Sequence, residues 1–252
     1  MAFAEPPGWY VISLRPQGGH GALRRAAAAQ GAGLIALSPW RLRPRMDDDA
    51  RQGLQAAVDA SRVVFTSPAA VRAASGLVPL RADAHRQWIA VGAGTARALA
   101  RAGIDTVVSP ARMDSEGVLA LEALANVRDE VIGLVTAPGG RDALAAALHA
   151  RGARVRRADV YSREPVMVSR ASLNSLIALD KPAVLLLSSE GALRHVLETV
   201  PPNAAGVLRA LPVVAASERL REVARREGFA DPAVAEGPLP AQLVAAAARR
   251  FR

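Results

Sequence analysis

The residues of this chain best suited to chemistry are hydroxyls and glycines set where apolar runs give way to helices. VVFTSPAAVRA, Val63 to Ala73, carries Thr66 and Ser67 between a β-favouring run and a helix start marked by Pro68. VLLLSSEGALRHV, Val184 to Val196, repeats the arrangement with Ser188 and Ser189. Gly92 to Thr95, Gly139-Gly140, Asp114-Ser115 and Ala216-Ser217 occupy similar turns. Such turns present hydroxyls and free backbone N–H groups at helix starts, which suits the holding of anions. The same hydroxyls also serve as helix N-caps, and the two roles are compatible. Arg15 and Arg141 lie beside Gly-rich turns, where they either add charge-assisted contacts or are ordinary solvated arginines.

Proton transfer has few candidates. Tyr10 and Tyr161 are the only tyrosines, and Tyr161 stands where the chain leaves its middle portion, so its phenol is the candidate acid; a strand tyrosine bonded to a neighbouring connector is the alternative role. His20, His85, His149 and His195 lie at no metal-ligand spacing, there is no HExxH, and each is expected to be a surface or helix residue. GAGTAR, Gly92 to Arg97, has Arg97 where a dinucleotide fingerprint has its third glycine, and no acidic residue ends a next strand, so the match is only partial. GGRDAL lacks the Gly-Lys-Ser/Thr of a P-loop, which argues against nucleotide hydrolysis.

These residues must be positioned by alternating strands and helices. Strands are expected at 9–14, 34–37, 63–65, 88–91, 106–109, 131–136, 155–161, 183–187, 213–216 and 232–235, with helices between them. Nearly every strand is a continuous apolar run, the mark of parallel strands covered on both faces. Two stretches differ. SPWRLRPRM, Ser38 to Met46, and the SREP that follows Tyr161 are Pro-marked and read as extended connectors.

An internal repeat has a shifted order. RPQGGHGAL resembles TAPGGRDAL, with Gly18-Gly19 matching Gly139-Gly140 at an offset of 121. FTSPAAVRAA resembles LSSEGALRHV, Thr66 matching Ser188 at an offset of 122, and AVGAGTARALARAG is loosely similar to VVAASERLREVARREG. A simple tandem split would divide the chain near its middle. The connectors instead bracket a central lobe, so the expected division is 1–37 plus 167–252 as one discontinuous α/β lobe, 47–158 as the other, and 38–46 and 159–166 as connector strands.

With 252 residues and 51% hydrophobic content the chain can bury substantial cores. It has no cysteine, which excludes disulfides and thiolate metal sites. No apolar run approaches the roughly 20 residues of a membrane span, and the first residues lack a signal-peptide pattern, so a soluble cytoplasmic protein is expected. The net charge of +9 favours acidic partners, yet the 32 basic residues, all arginine except Lys181, are scattered singly along helices. Aromatic residues are only 4%, and no nucleic-acid-binding motif is present.

Taken together, Arg15-Pro16, FTSPAAV, AVGAGTA, the SEG at Ser115 to Gly117, GGRDAL, VYSREP, LLLSSEGAL and VAASERLREVARREGF resemble the uroporphyrinogen-III synthase family of the tetrapyrrole pathway, over essentially the whole chain. The family usually has Thr where Ser13 stands and Asn where Ala69 stands. The resemblance implies two α/β lobes (flavodoxin-like) joined by two extended strands, a cleft between them and no cofactor. It also implies cyclisation of hydroxymethylbilane, a linear tetrapyrrole with eight carboxylates, with inversion of ring D through a spiro intermediate. The substrate's pyrroles then supply the nucleophile, leaving the protein to transfer protons, anchor carboxylates and fold the substrate. On this basis Tyr161 is the expected catalytic residue. Arg15, Thr66, Ser67, Gly92, Thr95, Ser115, Gly139, Gly140, Arg141, Ser188, Ser189 and Ser217 are the expected substrate-binding set. The expected partner is the polycarboxylate substrate, with no nucleic acid, no membrane and a monomeric state. The alternative is a non-catalytic two-lobed module that binds an anionic small molecule.

Overall fold

The computed structural model describes residues 7–140 and 142–251. It opens with strand β1 (Trp9–Ser13), helix α1 (Gly21–Ala28) and strand β2 (Ala32–Ala36). β3 (Trp40–Pro44) leads into α2 (Asp48–Val58), β4 (Arg62–Phe65), α3 (Pro68–Leu77), β5 (Gln87–Ala90), α4 (Ala93–Arg101), β6 (Val107–Val108), α5 (Ser115–Leu119), β7 (Val131–Thr136), α6 (Asp142–Ala150) and β8 (Arg154–Asp159). β9 (Tyr161–Pro165) is followed by α7 (Arg170–Ile177), β10 (Ala183–Leu187), α8 (Glu190–Thr199), α9 (Pro202–Ala210), β11 (Val213–Ala215), α10 (Glu218–Arg226), β12 (Ala233–Val234) and α11 (Pro240–Ala248).

The chain divides into two compact units. Unit 1 takes the residues up to Arg41 and those from Glu164 onward, and unit 2 is Leu42–Arg163. β3 and β9, the two crossings, pair as a two-stranded sheet. Unit 1 holds a sheet of order β12-β11-β10-β1-β2, and unit 2 one of order β6-β5-β4-β7-β8. Within these two sheets every described pairing is parallel.

The continuous apolar strands are explained by two-sided burial. In β10, Leu185 and Leu187 face one apolar cluster while Val184 and Leu186 face another. In β4, Val63 and Phe65 face one side and Val64 the other. At roughly 25 cal/mol per Å² of apolar surface removed from water, such two-sided strands are the main stabilising element of each unit. Gly133 in β7 has a local reason: a Cβ there would overlap the Ala57 carbonyl of α2, so only glycine admits that helix.

The two sheet orders correspond element for element. β7 and β8 match β1 and β2, and β4, β5 and β6 match β10, β11 and β12. The matched turns agree in detail. Gly18 and Gly139 have φ of 74° and 65°, the left-handed region that favours glycine, and Gly19 N–H donates to Pro16 O at 2.9 Å as Gly140 N–H does to Ala137 O at 2.8 Å. The shifted sequence repeat is therefore one sheet topology built twice from permuted segments.

Several boundaries differ from expectation. The strand expected at 155–161 is two strands, β8 and β9, with Val160 between them; no Gly or Pro marks the break. Between β6 and β7 the chain forms two short pieces, the five-residue α5 and a separate 3-10 turn, Glu122–Leu124. α9 is additional: Pro202 sits at its first positions, where a missing N–H costs nothing.

Candidate functional site

Both sheets end in the same kind of edge, built from hydroxyl-capped helices and glycine turns. In unit 2, β4 delivers Thr66 and Ser67. Ser67 Oγ caps α3 by accepting from Ala70 N–H at 3.1 Å, and it lies 3.2 Å from the Tyr161 hydroxyl. Tyr161 is only 5% exposed, its ring packed into the apolar cluster that also holds Phe65 and Val135. Ser67 is only partly buried, so the pair runs from the core of unit 2 outward.

Thr66 Oγ1 lies 3.0 Å from Thr136 Oγ1 and 3.2 Å from the Val135 carbonyl, and Thr136 Oγ1 donates to the Gly140 carbonyl at 3.2 Å. Thr136 is fully buried and braces the turn that carries Gly139 and Gly140. A cavity of about 180 Å³ beside this edge is lined by Thr66, Gly92, Ala93, Gly94, Thr95 and Met113. Gly92 caps α4 in extended backbone, and its lack of a side chain admits Met113, whose Cβ would stand 3.1 Å from an added Cβ. Arg157 holds the far side of the glycine turn, donating to Asp142 at 2.6 Å, to Asp159 at 3.1 Å and to the Ala137 carbonyl at 2.9 Å.

In unit 1, Ser189 caps α8 and Ser217 caps α10, accepting from Ala192 N–H at 3.3 Å and Leu220 N–H at 3.4 Å. Ser188 is exposed at the end of β10. Arg15 follows β1 at the position that Thr136 occupies in unit 2. Among the described residues its guanidinium has no hydrogen-bond or ion-pair partner, and burial lowers its pKa from the ordinary arginine value. A partly buried cation without a carboxylate beside it is suited to receive an anion.

The expected residues thus fall into two groups. Thr66, Ser67, Gly92, Thr95, Gly139, Gly140 and Tyr161 gather at the unit 2 edge, and Arg15, Ser188, Ser189 and Ser217 at the unit 1 edge. Ser115 begins α5, but Asp114 is its cap, accepting from Gly117 N–H at 2.8 Å. Arg141 lies outside the described residues. The expectation that every histidine is a surface or helix residue requires correction at His20. Its ring is 8% exposed at the head of α1, with Nδ1 3.0 Å from Ser13 Oγ and Nε2 2.8 Å from Ser38 Oγ. Ser38 and Arg157 carry no signal, and His20 and Thr136 lie in the glycine-turn repeat with nothing there to mark their contacts; the cross-strand contacts that give these residues roles exist only once the sheets form.

Two parallel α/β units of matching topology, joined by a pair of strands and lined at their sheet edges with capped helix starts, define a class of two-lobed α/β protein. The family model described as Uroporphyrinogen-III synthase HemD matches residues 21–245, and the chain belongs to that family. Solved structures agree in fold. The uroporphyrinogen-III synthetase of Helicobacter pylori matches with a TM-score of 0.61 at 13% identity, over 98% of this chain and 100% of that one. A mutant uroporphyrinogen III synthase from the extremely thermophilic bacterium Thermus thermophilus matches with a TM-score of 0.59 at 17% identity, over 96% of this chain and 99% of that one. The family is one of lyase-type enzymes of tetrapyrrole synthesis. No described helix is long and apolar enough to cross a membrane.

Proposed function

We propose that the protein is a cyclising hydro-lyase that converts hydroxymethylbilane to the type III macrocycle, acting as a cytoplasmic monomer. Beside the family membership, the observation that carries this reading is the Tyr161 and Ser67 hydroxyl pair at the head of α3. A phenol is a stronger acid than an alkyl hydroxyl, and Ser67 Oγ already accepts from the helix start. In this reading Tyr161 O–H donates to Ser67 Oγ, which leaves the Ser67 proton to point outward.

In the reaction, the Ser67 proton passes to the leaving hydroxyl of ring A while the Tyr161 proton passes to Ser67. The C–O bond breaks, water departs, and the pyrrole nitrogen's electron pair stabilises the azafulvene. The substituted carbon of ring D attacks it, the spiro intermediate fragments and recloses, and the proton released on rearomatisation restores Tyr161. Atoms balance as loss of one water. The backbone N–H groups of the Gly92 turn and of Gly139 bind carboxylates in unit 2, beside Thr66, whose own hydroxyl donates to the Val135 carbonyl and Thr136 Oγ1. In unit 1, Arg15, Ser188 and the helix starts at Ser189 and Ser217 do the same. Incubation of the purified protein with freshly generated hydroxymethylbilane tests the reading: the type III isomer is expected, and exclusive formation of the spontaneous type I isomer refutes it.

A further inference from the structure

The two glycine turns match in backbone but are braced differently. In unit 2 the brace is internal, from Thr136 to the Gly140 carbonyl. Arg15 stands at the equivalent place in unit 1, and among the described residues its side chain makes no such bond. The unit 1 turn is held instead from its far end: His20 ties the end of β1 through Ser13 to the segment after β2 through Ser38, while Gln17 N–H donates to Trp40 O at 2.9 Å. Three chain segments meet at one buried ring, and the residues between Ser13 and His20 are the turn that carries Arg15.

We infer that His20 is a positioning residue for this edge: its neutral imidazole, bridging Ser13 and Ser38, fixes the turn and so aims the Arg15 guanidinium at a ligand carboxylate. The inference rests on the reading of Arg15 as a substrate anchor. A neutral imidazole donates at one nitrogen and accepts at the other, and each serine hydroxyl completes its side. Among the described residues the charged groups facing the ring are Arg24 on α1 and Arg15 on the turn, while β1 and the segment after β2 present the two hydroxyls. Burial, then Arg24, then Arg15 hold the imidazole below the usual histidine pKa. The unfolded chain takes up a proton as pH falls through about 6.5 while the folded ring resists, so His20's contribution to stability is present above that pH and is lost as pH falls toward the folded pKa.

The test uses the intact protein. His20 ring nitrogens are followed by 15N NMR, assigned by their loss in His20→Gln, and titrated from about pH 8 to about pH 5, across the ordinary histidine range, with and without tricarballylate, a small tricarboxylate. A neutral single tautomer with a midpoint below that of free histidine is expected. Carboxylate bound by Arg15 should raise that midpoint by linkage, and Arg15→Gln should abolish the rise. In turnover, His20→Phe should raise KM about tenfold, the scale of one misaimed charge-assisted contact, with kcat little changed. His20→Gln, which donates and accepts, should recover most of the loss. Thermal unfolding checks that each variant is folded. A ring that titrates like free histidine, a midpoint indifferent to tricarballylate, or a folded His20→Phe with unaltered KM overturns the inference. Failure of the type III reading looks different: no turnover by any variant, with the NMR linkage intact.

Discussion

Removal of the Tyr161 hydroxyl separates its chemical role from its structural one. In Tyr161→Phe the ring keeps its place in the apolar cluster around Phe65 and Val135, and Ser67 still caps α3 through Ala70 N–H. Among the described residues, only the 3.2 Å bond to Ser67 is lost. A neutral hydrogen bond of this kind contributes about 0.5–1.5 kcal/mol, so the variant should fold with a melting temperature lower by a few degrees. The catalytic loss should be far larger. A positioned general acid contributes about 10²–10⁴-fold, or roughly 3–5 kcal/mol of barrier, and it should appear in kcat while KM changes little. The assay follows loss of hydroxymethylbilane and resolves the type I and type III products by chromatography. A folded Tyr161→Phe that forms the type III isomer at the wild-type rate refutes the proton-relay argument and leaves Tyr161 a structural tyrosine.

Three further outcomes are expected. Ser67→Thr should retain activity, whereas Ser67→Asn, which keeps a cap but has no hydroxyl, should remain folded and lose turnover; equal kcat for the two would remove Ser67 from the relay. Gly133→Ala should destabilise unit 2 by about 1–3 kcal/mol or more, because its methyl group meets the Ala57 carbonyl, and a melting curve like the wild type's would contradict the packing. Arg157→Gln should raise KM more than it lowers kcat, since it frees the Ala137–Asp142 turn without touching Tyr161; steady-state kinetics with an unchanged KM would show the turn to be self-supporting.

Local pattern carries far in this chain because parallel sheets have a strong local signature. Val184 to Leu187 must be apolar at every position to meet clusters on both faces, so β10 is legible without its neighbours. The caps are equally local: Ser67, Ser189 and Ser217 each bond the N–H three residues on, and the Gly18 and Gly139 turns need left-handed backbone. Features that local pattern does not carry are non-local or masked by burial. The break at Val160 has no Gly or Pro to mark it, and Asp114 and Ser115 are both good capping residues, so the pair alone does not say which one caps α5.

Composition, periodicity and turn chemistry alone determined that this chain makes two parallel α/β lobes with hydroxyls and glycines at their strand ends, since each signal is written in residues a few positions apart. Tertiary structure decided which of those groups work together. Ser67 and Tyr161, 94 positions apart, close to a hydrogen bond, and Ser13, His20 and Ser38 meet only when β1 and β2 lie side by side. Side-chain partnership across strands depends on register and sheet order, long-range properties of the folded chain that no short window of sequence contains.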